Sequence, residues 1–566
     1  MTSGLTAVIV IGIYMLLLLS IGVLSNRVFK GTAADYFVAS RGIGPFVLLM
    51  SVFGTTMTSF AIIGSSAEAF TAGLGVYGKM VSWSGIFHSI CFFLVGVRLW
   101  AFGKRYGYQT QIQFFRDRFE SGHMGLLLFP VLVGLIVPYL LMGVVGAATA
   151  IESITAGAFS VFFAATKGGI PYWIAGLVVC GVTLIYVFFG GVRGAAWANT
   201  FQTVVFVVLG LVTFVVIAQR LGGPAAATRQ VMHVNPAHLK LGAADADQKI
   251  YEQRLAEYEA GQSKIKPRRP HEIPSGVFFT YLFIPLSVAM FPHLFQHWLT
   301  AKSARSFRLT LIAHPLLMML TWLPCVLIGV WATAAIVPET GLPVIPPDFA
   351  RANAVLPMMV NKLAPPFVGG LLVAGVLAAI MSSLDSQFIC LGSIFTNDIV
   401  SHYIRKDRLG DRAVLVLGRG FIVLIVAATY GFSLWFPGAS VFRLGIWCFT
   451  GYAALAPLVF AALYWKRTTK AGAVACVLTA AVVGVFFFYK AYSETALAGE
   501  HEYTIWGMMP VTIILAASTL ALVVVSLMTR PPSAATVAKF FGTHPSLDAR
   551  AYPSEAVVVG GSWGAR

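Results

Sequence analysis

The amino-acid sequence predicts an all-α, polytopic membrane protein with about 13 membrane-spanning helices and a five-plus-five inverted-repeat core. The chain has 566 residues, of which 58% are hydrophobic and only 11% are charged, whereas a soluble globular chain carries about 25% charged residues. The apolar residues occur in runs long enough to cross a bilayer. Two of these runs are interrupted near their centres, at corresponding positions in the two halves of the chain.

The apolar runs predict helices and exclude a β-barrel. Residues 5–25 contain no charged side chain, and 202–219, 413–435 and 508–529 contain at most a rare one. As a helix, 18 or more such residues cross roughly 30 Å of hydrocarbon. Barrel strands would instead alternate over about ten residues, and these runs do not alternate. The predicted spans lie near residues 5–25, 43–72, 76–102, 125–150, 170–190, 199–219, 275–299, 308–337, 366–396, 413–435, 440–464, 469–489 and 508–529.

The net charge of +17 follows the predicted topology and does not indicate a nucleic-acid partner. Basic residues gather in alternate loops between the spans, as in the pairs Lys104 and Arg105, and Lys466 and Arg467. The positive-inside rule assigns such loops to the cytoplasm. We therefore expect a multi-pass protein of the cell (inner) membrane, with its N-terminus outside and its C-terminus in the cytoplasm.

The predicted organisation is one transmembrane domain, 1–529, with a core at 43–464, an external loop at 220–273 and a cytoplasmic tail at 530–566. The composition of the loop favours a solvated surface helix within 244–264, with a lid or partner-docking element as the alternative. The tail is rich in Pro, Ala and Gly and is predicted to be loosely ordered. No segment is predicted to form a soluble catalytic domain.

The second and seventh spans are predicted to be broken helices. The centre of the second span begins at Gly54, a poor helix former, and continues as a polar stretch to Ser59. The seventh contains Pro285 and Pro292, and proline removes a backbone hydrogen bond. Interrupted segments at matching positions in two halves indicate the binding site of a transporter. The alternative for each is a packing kink.

Oxygen atoms suited to sodium fall at the second and ninth spans. A broken helix presents backbone carbonyls at the end of its first half, where Gly54 and Met57 lie. Ser382 and Ser383 are about 100° apart on a helix and can border one hard cation; the alternative is that they bond back to their own helix. Asp385 follows them, and an acid within a span is costly (~2.5–3.5 kcal/mol on insertion scales) and is a functional candidate.

Several stretches of the chain, in this order, resemble the sodium:solute symporter family. They are DYFVASR at 35–41, GGVR at 190–193, PH at 292–293 with AKS at 301–303, and MSSLDS at 381–386 followed by FTNDI at 395–399. The resemblance implies a LeuT-like fold and Na⁺ as the coupling ion. It also implies a sodium site made by the carbonyls of Gly54, Met57 and Ala379 and the hydroxyls of Ser382 and Ser383.

The resemblance further implies a substrate site near the broken helices. Tyr139 falls where some members carry a tyrosine important for transport, and hydroxyl-bearing residues cluster in the second span. The candidate substrate-binding residues are Thr55, Thr56, Ser59, Phe60, Tyr139, Ser287 and Trp447.

The chain departs from the family pattern at Asn199, where many members have an aspartate. The resemblance links that aspartate to a second sodium site in some members, so its replacement by Asn199 weakens the case for a second sodium ion. Asp385 could compensate for the lost carboxylate, and Asn199, Asp385 and Ser386 are the candidate second cation site. His293 and His297 have a spacing that can bind zinc, but no third ligand is evident in the sequence, so no transition metal is expected.

The expected function is sodium-coupled secondary active import of a small polar solute, with a monocarboxylate or an amino acid favoured. The expected partners are the solute, the sodium ion and the lipid membrane, and no enzymatic activity is expected. One alternative is a proton-coupled transporter with Asp385 as the carrier. The others are a sensor on a transporter fold and a membrane-embedded enzyme using His293 or His297.

Overall fold

The structure is a computed structural model that describes residues 3–25, 41–241, 245–403, 410–498 and 503–542. Within these ranges the chain is helical, and its β-structure is limited to three isolated bridges, such as that between Ile43 and Ala301. The family-like stretch 35–41 lies, except for Arg41, outside the described residues.

The first half of the chain contains long helices joined by short connections. Its helices are α1 (Ser3–Ser25), α2 (Pro45–Thr56), α3 (Ser65–Ala72), α4 (Gly75–Cys91), α5 (Val97–Tyr106), α6 (Gln111–Arg118), α7 (Met124–Ile154), α8 (Tyr172–Arg220), α9 (Pro224–Val234) and α10 (Asp245–Glu259). Turns of π-helix at Phe60–Gly64 and Phe92–Gly96 lead into α3 and α5.

The second half repeats this pattern. Its helices are α11 (Ser275–Thr280), α12 (Pro292–Thr300), α13 (Phe307–Ala332), α14 (Val355–Leu363), α15 (Pro366–Ile394), α16 (Asp411–Trp435), α17 (Val441–Ala454), α18 (Ala456–Tyr464), α19 (Lys470–Ala498), α20 (Pro510–Met528) and α21 (Ala534–Phe541). A 3₁₀ helix, Tyr281–Ala289, follows α11 and leads to α12. A π-helical segment, Phe395–Val400, follows α15 and is followed by one further helical turn, Ser401–Tyr403.

The membrane spans agree with the sequence prediction. In the described ranges, 11 helices are long and apolar enough to cross a membrane, or up to 13 if each bent pair is one span. The predicted fifth and sixth spans form one helix, α8, of 49 residues. At 1.5 Å per residue it is about 74 Å long, and it contains two span-length apolar segments, Tyr172–Phe189 and Gly194–Arg220.

Both predicted helix breaks are confirmed. The second span bends by 58° between Pro45–Thr56 and Phe60–Ala72, and the seventh bends by 53° between Ser275–Ala289 and Pro292–Thr300. The second span breaks at Met57, whose backbone (φ −87°, ψ 86°) has left the helical region. The seventh restarts at Pro292, which suits the first position of a helix because its missing N–H would lack a partner there.

Helix α15 lies at the centre of the bundle. Its most hydrophobic segment is 83% buried, whereas those of α19 and α20 are only 28% buried. α15 packs against α1, α2, α7 and α8, while α19 and α20 pack mainly against each other. The serines predicted to bind sodium therefore lie on the most enclosed of the described membrane spans.

The loop at 220–273 is attached to the end of the second span and to the end of α13. Leu74 donates its backbone N–H to the His238 carbonyl over 2.7 Å, and Asn235 Nδ2 donates to the Thr333 carbonyl over 3.2 Å. Gly73 has a φ of +80° and a Cβ there would lie 2.7 Å from the His238 oxygen, so this contact favours glycine. The predicted surface helix within 244–264 is α10.

The prediction of a loosely ordered tail is wrong for α21. The Ser533 hydroxyl caps this helix by accepting a hydrogen bond from the Thr536 N–H. Phe540 is buried and its ring lies 5.3 Å from that of Phe102. Lys539 Nζ is 2.6 Å from Asp117 Oδ2. A capped helix with one aromatic face can dock even though the surrounding composition is that of a disordered segment. Residues 543–566 lie outside the described residues.

Candidate functional site

The break in the second span lies directly against α15. The Ser382 hydroxyl is 2.9 Å from the Gly54 carbonyl oxygen and 2.9 Å from the Ala379 carbonyl oxygen. Both serine and glycine are buried. The Ser382 hydroxyl lies within hydrogen-bonding distance of both carbonyls. The oxygens of three predicted sodium ligands, Gly54, Ala379 and Ser382, therefore lie close together in the protein interior. Such a set of oxygens, with no nitrogen or sulfur, suits a hard cation.

The other two predicted sodium ligands border this point. Met57 is the residue at which α2 ends, and its N–H still donates to the Phe53 carbonyl over 2.9 Å. The Ser383 hydroxyl accepts a hydrogen bond from Gln387 Nε2 over 2.8 Å. The structure thus brings Gly54, Ala379 and Ser382 into contact and places Met57 and Ser383 near them in the chain.

Gly54 allows α2 and α8 to approach closely. A Cβ built on Gly54 would lie 2.2 Å from Thr203 Oγ1 and 3.5 Å from the Asn199 carbonyl oxygen. The Thr203 hydroxyl is held there because it donates to the Met50 carbonyl over 3.0 Å. The glycine is therefore needed for packing as well as for ending the helix.

We expect Gly54→Ala to impair both folding stability and transport. The added methyl group overlaps Thr203 Oγ1, and overpacking of this kind costs about 1–3 kcal/mol. The double variant G54A/T203A removes the overlapping hydroxyl and should recover part of the melting temperature in detergent. Gly134→Ala is the matched control, because nothing lies within 4 Å of its Cβ position. Equal melting temperatures for G54A and G134A would contradict the close packing.

The three residues of the candidate second cation site form one hydrogen-bonded group. Ser386 Oγ donates to Asp385 Oδ1 over 3.0 Å. The amide orientation that satisfies both atoms of Asn199 places its Nδ2 2.9 Å from Asp385 Oδ2 and its Oδ1 2.8 Å from Ser386 Oγ. Tyr186 OH also donates to Asp385 Oδ2 over 3.1 Å, and His297 Nε2 is 3.1 Å from Ser386 Oγ. Asp385 is fully buried, so its oxygens are held among donors inside the bundle.

Tyr186 and His297 were not among the predicted site residues. Tyr186 precedes Asn199 on α8 by thirteen residues, and only the packing of α8 on α15 brings both to Asp385. A polar ring within an apolar span was the signal available in the sequence.

Two predicted substrate-binding hydroxyls have no hydrogen-bond partner among the described residues. They are Thr55 Oγ1 and Ser59 Oγ, and both side chains are buried. Ser59 faces α7, where a Cβ on Gly146 would lie 1.8 Å from its oxygen. Thr56 differs, because its hydroxyl donates to the Phe53 carbonyl over 2.9 Å and lies 3.1 Å from His314 Nε2. Buried unpaired hydroxyls are costly, which indicates that Thr55 and Ser59 are better candidates than Thr56.

Aromatic side chains enclose this region. The Phe60 ring lies 4.8 Å from Phe442 and 5.0 Å from Phe449. Tyr139 lies 5.4 Å from Phe449 and 5.4 Å from His293. Phe60 and Tyr139 therefore both pack against Phe449 of α17. Tyr139 also packs against His293, which lies next to the break of the seventh span.

Ser287 and Trp447 have different positions. Ser287 is buried in the 3₁₀ stretch, which packs against α17. Trp447 instead lies 5.4 Å from Phe488 of the peripheral helix α19, and its role in substrate binding stays a prediction. Phe449 follows it by two residues, about 200° around the helix, and faces the site. The spacing of Phe442, Phe449 and Tyr452 on α17 was the sequence signal for this face.

A separate cavity lies between α8, α13 and α15. Its lining is apolar and includes Phe206, Gly210, Pro324, Gly375 and Val376. None of the predicted sodium or substrate residues lines it. A polar solute would gain little from binding in this cavity.

Comparison with known proteins identifies the class. The chain is a multi-pass membrane protein of the transporter class, and a family model described as the sodium:solute symporter family matches residues 36–480. The chain belongs to the sodium:solute symporter family. It is 25% identical over 537 residues to the sodium/proline symporters of Staphylococcus aureus strains JH9 and NCTC 8325, covering 93% of this chain and 93% of each relative.

Solved structures share the fold. A Na⁺-coupled sialic acid symporter in a substrate-bound, outward-open state matches with a TM-score of 0.68 and 16% identity, covering 94% of this chain and 100% of that chain. Mhp1, a nucleobase-cation-symport-1 family transporter in a closed conformation with bromovinylhydantoin bound, matches with a TM-score of 0.51 and 12% identity, covering 89% of this chain and 97% of that one. The fold is thus the LeuT-like, five-plus-five arrangement predicted from the sequence. Family and neighbours together support sodium-coupled transport.

Proposed function

We propose that this protein is a sodium-coupled secondary active symporter that imports a small polar solute by alternating access. It would lie in the inner membrane with its N-terminus outside and its C-terminus in the cytoplasm, as the distribution of basic residues favours. The observation that carries the proposal is the contact between the Ser382 hydroxyl and the Gly54 carbonyl, 2.9 Å apart. It joins the central helix α15 to the break in the second span.

Sodium bound at Gly54, Met57, Ala379, Ser382 and Ser383 would hold α2 and α15 together. Coupling then requires only that sodium and solute both bind one of two conformations more tightly. Release of sodium on the cytoplasmic side would let the two helices separate and lower the affinity for the solute. No covalent chemistry is involved.

The driving force is sufficient for accumulation. One charge crossing a potential of 100 mV contributes ~2.3 kcal/mol. A tenfold sodium gradient adds roughly 1.4 kcal/mol. Their sum supports accumulation of about several hundred-fold for each coupled sodium ion.

A second cation at Asn199, Asp385 and Ser386 is part of the proposal. The buried carboxylate of Asp385 carries the negative charge that a cation would need, and Ser386 and Asn199 add neutral oxygens. The same observation favours proton coupling through Asp385 as the second candidate function, because a buried acid can also be neutralised by a proton.

Flux measurements in proteoliposomes separate these candidates. We expect solute uptake to follow an inward sodium gradient, with a panel of monocarboxylates, amino acids, sugars and ureas screened first by sodium-dependent thermal shift. Uptake driven by a proton gradient at equal sodium on both sides would favour the Asp385 proton carrier instead. Absence of sodium-driven uptake for every solute in the panel would contradict the proposed function.

A further inference from the structure

The apolar cavity between α8, α13 and α15 is a groove that reaches the central helix. Its walls are α8 and α13, and its floor includes Leu372, Gly375 and Val376 of α15. The most hydrophobic segments of the walls, within Gly194–Arg220 and Ala304–Ala332, are only 33% and 39% buried, whereas that of α15 is 83% buried. The groove is therefore a place where the enclosed helix can be approached from outside the bundle.

The mouth of the groove is continuous with the lipid-facing surface of the protein. Gly210 on α8 and Leu320 on α13 both line the cavity and are exposed. Their neighbours Val208, Val212 and Leu316 are exposed as well. In a membrane span, apolar side chains that face outward contact hydrocarbon. The groove thus opens onto the lipid chains and not onto water.

The lining of the groove suits a hydrocarbon chain. It contains no charged side chain. Its two hydroxyls are already used within their own helices, because Thr213 donates to the Leu209 carbonyl over 2.6 Å and Thr321 donates to the Leu317 carbonyl over 2.9 Å. In a bilayer, an apolar ligand gains mainly from close van der Waals contact with the walls. This groove offers such contact on three sides.

Two glycines and a proline shape the groove. No atom lies within 4 Å of a Cβ built on Gly210, which leaves one wall open. Gly375 lies so close to α8 that its Cβ would be 2.7 Å from Leu209 Cβ, so no side chain projects from the floor at this point. Pro324 lies in the opposite wall, inside α13, where it removes a backbone hydrogen bond.

We propose that this groove binds one acyl chain of a membrane lipid, from the leaflet on the side of the loop at 220–273. The lining residues of α13, within 320–328, lie in the half of that helix that ends next to this loop. The chain enters past Gly210 and lies on Gly375.

The bound chain contacts both helices that meet at the candidate sodium site. Gly375 precedes Ala379 by one helical turn. Ile62, which also lines the groove, lies just after the break in the second span. The lipid is thereby placed against α15 and against the second span at the same time.

A second copy of this chain fits the groove less well than a lipid. Close packing of helices in membranes uses small residues one turn apart. The residues one turn before and after Gly210 are Phe206 and Phe214, which keep the backbone of another helix at a distance. A single acyl chain is slender enough to lie between such side chains.

Photolabelling of the unmodified protein tests the inference. The protein is reconstituted in phosphatidylcholine vesicles in which a small fraction of the lipid carries a diazirine in one acyl chain, and labelled residues are located by mass spectrometry after illumination. We expect label on the exposed residues Val208 and Leu316, the internal positive controls, and also on the floor residues 372–376. Label confined to exposed residues would overturn the proposal. A cross-link between two copies in place of the lipid adduct at 372–376 would also overturn it.

Gly210→Phe fills the groove, and Gly181→Phe is the matched control. Both glycines lie on α8, and neither has an atom within 4 Å of its Cβ position. We expect G210F to lose the label at 372–376 and to retain it at Leu316, and G181F to retain both. Thermal unfolding in detergent checks the folding of each variant, and the first test needs no variant. Label at 372–376 in folded G210F would overturn entry of the chain between α8 and α13.

The lipid site stands or falls independently of the proposed transport function. Labelling is measured without a solute and without a sodium gradient. Loss of the floor label would remove the lipid site and leave sodium-coupled uptake unaffected as a proposal, whereas absence of uptake would leave the labelling result valid.

Discussion

Replacing Ser382 with alanine is expected to weaken the sodium dependence of transport strongly while leaving the protein folded. The Ser382 hydroxyl reaches the carbonyls of Gly54 and Ala379, each at 2.9 Å, and its oxygen is the predicted side-chain ligand that contacts both helices that sodium would join. Even residues behind the direct ligands change metal affinity by about 10–100-fold. We therefore expect the sodium concentration for half-maximal uptake to rise by roughly 100-fold or more.

The control for Ser382→Ala is Ser20→Ala. Ser20 also lies on a membrane span and its hydroxyl donates to the Leu16 carbonyl one turn earlier, over 2.8 Å, but on an exposed face. This substitution removes a hydroxyl of the same kind without touching α15. Sodium titrations of uptake and of thermal stability should separate the two variants, and an unchanged sodium dependence in S382A would remove the basis of the proposed ion site.

The largest loss of stability is expected from Asp398→Ala. Asp398 continues α15 beyond the serines, is fully buried and accepts from Arg116 Nη2 over 2.5 Å, with Arg116 only 14% exposed. Removal of one member of a buried ion pair leaves the other charge without compensation and costs about 3–5 kcal/mol. We expect a correspondingly lower unfolding free energy in denaturant titrations of the purified protein.

Two comparisons test this explanation. Asp348→Ala removes the acid of an ion pair with Lys266 whose carboxylate is 83% exposed, so it should lower the unfolding free energy much less than Asp398→Ala does. The double variant R116M/D398L replaces both charges by apolar groups and should be more stable than D398A alone. If the double variant is as unstable as D398A, the loss of stability arises from disturbed side-chain packing and not from the unpaired charge of Arg116.

The fold could be predicted from local properties of the chain. Hydrophobic length fixes the spans, and Gly54 and Pro292 fix the two breaks, because each acts on its own backbone. The convergence of Gly54 and Ser382 was predicted by combining backbone chemistry with the family resemblance. These inferences required no knowledge of which helix face meets which neighbour.

What could not be predicted depends on helix orientation and long-range packing. The contact of Phe449 with Phe60 and Tyr139 could not be predicted, because a span surrounded by lipid and protein gives a weak signal of which face is inside. Tyr186 reaches Asp385 only after α8 packs on α15. The docking of α21 depends on Phe102, more than 400 residues earlier in the chain.

The position of α21 has a practical consequence for handling the protein. Phe540 covers the rings of Phe102 and Phe114, and Lys539 neutralises Asp117. A chain shortened before Ala534 would leave these aromatic rings open to water, and exposed apolar patches promote aggregation. Purification tags and fluorescent fusions should therefore be attached beyond Gly542, with α21 kept intact.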